Sequence, residues 1–62
     1  MRHIEITVTD GKSNHDYVLH NVDVSTLDNH DVLRVDRLDT KDAYGFPFSN
    51  VVVFHTWETE DR

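Results

Sequence analysis

The sequence predicts a small all-β domain, and three observations carry that prediction. Among 62 residues there are nine valines, two isoleucines and six threonines, against one alanine, three glutamates and no glutamine. β-Branched side chains pack well on a pleated surface and lose rotamer freedom in a helix. The N-terminal segment alternates strictly, and turn residues punctuate the chain wherever that alternation stops.

From His3 to Thr9, residues Ile4, Ile6 and Val8 occupy one face and His3, Glu5, Thr7 and Thr9 the other, the period of a half-buried strand. Asp10-Gly11-Lys12-Ser13-Asn14 reads as a hairpin turn, because Asp-Gly tolerates the positive φ that tight hairpins need. His15 to Val24 reads as the second strand. Its phase changes midway: Tyr17 and Leu19 share a face, whereas Val22 and Val24 fall on the other, and a bulge near His20-Asn21 is the simplest cause.

Ser25 to Asp31 reads as a polar loop anchored by Leu27. Val32 to Asp39 reads as the third strand, with a short helix around 28–38 as the alternative, because Val32, Val35 and Leu38 also recur every three residues. Thr40 to Pro47 reads as a loop broken by Gly45 and Pro47, and Ser49 to Glu58 as the last strand. Within it Val51 and Val53 fall on one side, Val52 and Phe54 on the other, so the strand is apolar on both faces. The expected architecture is a four-stranded antiparallel meander, either curled into a small barrel or left open, in a single domain spanning 1–62.

Composition narrows function. The absence of cysteine removes disulfides, thiolate metal sites and cysteine nucleophiles, and with them one of the usual supplements to a core this small. A formal charge of −6 repels the phosphate backbone, so direct nucleic-acid binding is not expected. No run approaches a membrane span and the N-terminus opens no apolar signal segment, which points to a soluble, cytoplasmic protein without a membrane partner.

The five histidines are spaced 12, 5, 10 and 25 residues apart, matching neither the i,i+2 pair of a strand site nor the i,i+4 pair of a helical one. His3 and His55 would meet only if the terminal strands pair, with Glu5 as a third ligand. Solvated imidazoles are the simpler reading, so no metal and no cofactor are expected. Asp28, Asp31, Asp36, Asp39 and Asp42 fail the EF-hand pattern, since a loop opened at Asp28 would place Leu33 where Gly is needed. These five read as an acidic surface, either solubilising charge or a row of carboxylates imitating a nucleic-acid backbone. Serines 13, 25 and 49 lie in turns or at a strand edge with no glycine elbow, and no phosphate-cradling loop is present. The chain is therefore not expected to be an enzyme.

Tyr44-Gly45-Phe46-Pro47-Phe48 is the most informative segment, followed by the apolar strand and Trp57. Aromatic residues dominate both core and interface energetics. Phe46 and Phe48 suit the plug of a small barrel, and Tyr44, Phe46, Phe48, Val51, Val53 and Trp57 suit a partner-binding patch ringed by acids. In size and acidic, β-rich cast the chain resembles the very short accessory proteins of phages and mobile elements, without a shared motif. That resemblance implies a stoichiometric binder of a host protein. The expected function is a non-enzymatic interaction protein that inhibits a host protein or assembles as a homo-oligomer. An oligomeric sponge for a small ligand such as a nucleotide, using the histidines with Arg34 and Arg37, and an acidic nucleic-acid mimic are the alternatives.

Overall fold

A computed structural model describes residues 1–60. Among these residues six strands are formed: β1 (Arg2–Thr9), β2 (Asn14–His20), β3 (Val22–Leu27), β4 (Val32–Arg37), β5 (Ala43–Pro47) and β6 (Val51–Glu58), with one 3-10 turn at Phe48–Asn50. They make two three-stranded antiparallel sheets, sheet A in the order β2-β1-β6 and sheet B in the order β3-β4-β5. The all-β class is as expected. The single four-stranded meander is not, and the structure is neither a closed barrel nor one open sheet.

The difference originates at Asn21. Its φ of 56° turns the chain out of sheet A and into sheet B within one residue, and its carbonyl accepts the Leu38 amide at 2.9 Å. The phase change read from Tyr17/Leu19 to Val22/Val24 is real, but a corner causes it where a bulge was expected. Asparagine suits that position because its short polar side chain tolerates the left-handed region better than most.

Two further segments depart from expectation. The loop expected over 40–47 contains β5, whose Phe46 and Tyr44 lie opposite Leu33 and Val35 of β4. Gly45 and Pro47 are tolerated because β5 is a short edge strand. The polar stretch 25–31 is strand up to Leu27, then a turn in which Asp28, Asn29 and His30 all have positive φ. Asn, Asp and His are the non-glycine residues that enter this region most readily, so the sequence supplies what the turn needs. No helix forms over 28–38, because Leu33 and Val35 alternate inward on β4.

The expected Asp-Gly turn is present: Asp10 Oδ1 accepts the Lys12 and Ser13 amides at 2.8 and 2.9 Å, and Gly11 has φ 93°. Ile4, Ile6, Val22, Leu33 and Val35 form the buried core, with Val8, Leu19, Val24, Phe46, Phe48 and Val51 packed partly against it. The two sheets thus face each other across a layer only a few side chains thick. Among the described residues no helix is long and apolar enough to cross a membrane.

Candidate interaction surface

Among the described residues β6 pairs only with β1. Its register slips between Thr7 and Val8 of β1, which face Val53 and Val51, so Val52 is the extra residue of a bulge. That bulge separates Val51 from Val53: Val51 turns inward with Val8 and Phe54, whereas Val53 shares the outer face of sheet A with Thr7. The sequence placed Val51 and Val53 on one side. An unrecognised bulge reverses the phase of everything beyond it.

The consequence is an unusual amount of apolar surface on one strand. Val52, Val53 and Phe54 are 54%, 59% and 42% exposed. From Val51 to Trp57 there is no Asp, Glu, Lys or Arg, no glycine and no proline. Edge strands are normally blunted by charge, proline or shortness. The other three edges of the fold have such protection: β2 carries Asp16, β3 carries Asp23, and β5 has five residues and ends in Pro47. β6 has eight residues, an initial bulge and a single charge, Glu58, at its far end.

The outer face of sheet A also carries a column of rings. His3 on β1 lies opposite His20 on β2 and Trp57 on β6. The His3 ring stacks on the Trp57 indole at 5.3 Å and meets the His20 ring edge-on at 5.0 Å, and His55 also stacks with Trp57 at 5.4 Å. His3 is the one buried polar residue among those described, at 7% exposure. Its Nδ1 lies 2.9 Å from His20 Nδ1 and its Nε2 2.7 Å from Thr59 Oγ1. A nitrogen-to-nitrogen hydrogen bond needs one ring to donate and the other to accept, so the pair fixes complementary tautomers. This arrangement holds the end of β6 against β1.

The six residues selected from sequence are thereby divided. Tyr44, Phe46, Phe48 and Val51 line the inward side and rim of the sandwich, where Tyr44 and Phe46 stack at 6.5 Å and Phe46 lies 6.0 Å from Tyr17. Phe48 meets Phe54 at 6.3 Å. Val53 and Trp57 lie on the outer face of sheet A with the histidines. Arg37 is held toward its charged form chiefly by the Tyr44 hydroxyl, with Asp39 and Asp42 adding to this and burial opposing it. Sequence reasoning did not select His20, Phe54 or Thr56 for the surface and weighed His3 only as a metal ligand with His55, although His55 and Trp57 stand at i,i+2 and so share a strand face.

The five aspartates do not form a row. Asp28 and Asp31 lie in the β3–β4 turn, Asp39 and Asp42 between β4 and β5, at the opposite end of β4. Asp36 lies on β4 and pairs with Arg34, whose Nε donates to its carboxylate at 3.0 and 3.2 Å. No group of three or more His, Cys, Asp or Glu among the described residues is placed to hold a metal ion, and His3 pairs with His20 where a contact with His55 was considered. A shallow surface depression of about 100 Å³ lies over Leu27, Arg34, Ala43, Tyr44 and Gly45. It is far below the volume of ordinary small-molecule sites.

No family model matches this chain, and no curated protein or solved structure matches it.

Proposed function

We propose that this is a non-enzymatic interaction protein that binds another polypeptide along β6, by strand addition to the open edge of sheet A. The observation that supports this reading is a long exposed edge strand whose residues 51–57 carry no charge, in a fold whose other edges carry a charge within the strand or end in proline. Strand addition draws affinity from main-chain hydrogen bonds and selectivity from the alternating side chains, here Val53, His55 and Trp57 on one face and Phe54 and Thr56 on the other.

The edge geometry follows from the pairing with β1. Met1 and Thr59 exchange both backbone hydrogen bonds, the Thr59 amide donating to the Met1 carbonyl and the Met1 ammonium to the Thr59 carbonyl. In an antiparallel ladder bonded and non-bonded pairs alternate. Trp57, His55 and Val53 therefore direct their amides and carbonyls toward β1, while Glu58, Thr56 and Phe54 direct theirs away. Thr56→Pro removes one outward donor without breaking a bond to β1. Affinity purification with the wild-type chain and Thr56→Pro as paired baits tests the reading. Polypeptide bound by the wild type, including the chain itself, should be lost from the variant, whereas equal recovery on both baits would show that β6 is not the contact.

A further inference from the structure

We propose that the polypeptide added at β6 is a second copy of this chain, paired antiparallel about a two-fold axis at Thr56, so that the two sheets A join into one sheet ordered β2-β1-β6-β6-β1-β2. This rests on the reading of β6 as the contact strand and names the partner. The argument begins with the outward backbone groups at Phe54, Thr56 and Glu58. Antiparallel self-pairing can register them in several ways. Placing Thr56 opposite Thr56 of the second copy sets Phe54 opposite Glu58 in both directions, so all three outward amides and all three carbonyls of each strand find partners. Shifting the axis by one residue, to His55 or Trp57, leaves at least one of these pairs unmade.

The same register sets the side chains favourably. His55 of each copy falls opposite Trp57 of the other, extending the imidazole–indole stacking already present within one chain at 5.4 Å. No like charges stand opposite each other, even though each chain carries −6. The only charged residue in β6 is Glu58, which already lies 3.4 Å from Arg2. A strongly basic partner strand would find no carboxylate along residues 51–57, whereas a neutral, apolar strand is what this chain itself supplies. An isologous contact also covers Val53 and Phe54 on both copies at once, and its two-fold symmetry closes without propagating into a fibre.

The register makes the proposal sharply testable because the chain lacks cysteine. Directly opposed, hydrogen-bonded residues have Cα atoms about 5.5 Å apart, inside the range a disulfide spans. The Thr56→Cys chain should therefore oxidise to a covalent dimer, while Ser25→Cys on the outer face of sheet B should remain unlinked under the same conditions. Sedimentation of the wild type over a concentration series should show a species of twice 7.3 kDa. Thr56→Pro should sediment as a monomer with an unchanged far-UV spectrum, and Thr56→Lys, which opposes two cations across the axis, should dissociate at higher concentration than wild type. A wild-type chain that stays monomeric through high concentration overturns the proposal, as does a Thr56→Pro dimer. A dimer whose Thr56→Cys variant does not link more readily than the Ser25→Cys control overturns it too. A monomeric wild type that still binds a different polypeptide lost on Thr56→Pro would sink the homodimer and leave β6 as the contact strand.

Discussion

Three residues carry decisions disproportionate to their size. Asn21 alone moves the chain between sheets at φ 56°, so Asn21→Gly should be tolerated. Asn21→Val should cost about 1–2 kcal/mol, the penalty of forcing a β-branched residue into the left-handed region. Urea denaturation of the two variants checks this. Lys41 also has positive φ, 63°, without asparagine's advantage. Lys41→Gly should therefore raise stability, by up to about 1 kcal/mol, in the same assay. Asp10 connects turn chemistry to pH. Amides of Ser13 and Lys12, then the His15 ring, hold its carboxyl down from 3.8 to about 2. A carboxyl whose folded pKa is depressed contributes stability above its unfolded value, and that contribution is lost as pH falls through about 2. Asp10→Asn keeps an oxygen to accept the same amides but cannot titrate, so its stability should fall less than wild type's between pH 5 and pH 2. Identical pH dependence in both would show that the turn contributes nothing to acid sensitivity.

At the scale of elements, β1, β4, β6 and the Asp10-Gly11 turn were legible because alternation or a turn dipeptide marks each of them directly. β5 was not. Its Gly45 and Pro47 are breakers in isolation, and only an edge position opposite β4, which a local reading cannot see, makes them acceptable. β6 was legible as an apolar strand but not in phase, since the bulge at Val52 leaves no local mark among three identical valines. That loss propagated to the candidate surface: Val51 packs against the core, while Phe54, on the same inward side, stays 42% exposed at its rim. The phenylalanines of the aromatic segment 44–48 pack against the core, while Trp57 lies on the opposite face of sheet A. The histidine column was only partly legible: His3 and His55 were considered together should the terminal strands pair, whereas His20 joins them only through the β2-β1-β6 order.

The whole molecule rests on few buried side chains. Ile4, Ile6, Val22, Leu33 and Val35 are the buried core, and a core in a chain this short seldom supplies more than about 3–5 kcal/mol. Truncating one of them costs about 2–5 kcal/mol, so Leu33→Ala should leave the isolated chain largely unfolded by circular dichroism at room temperature. Association would shift that balance by mass action, making the melting temperature rise with concentration. The length and lack of cysteine raise the expectation of a supplement from another chain, and the proposal puts that supplement on β6, whose residues 51–57 carry no charge. Amide hydrogen exchange along β6 tests the location most directly. In dilute protein the amides of Val53, His55 and Trp57 should exchange slowly and those of Phe54, Thr56 and Glu58 rapidly, the latter three alone becoming protected as concentration rises. Phe54, Thr56 and Glu58 amides that are already slow in dilute protein, or that stay fast at every concentration, would contradict the account.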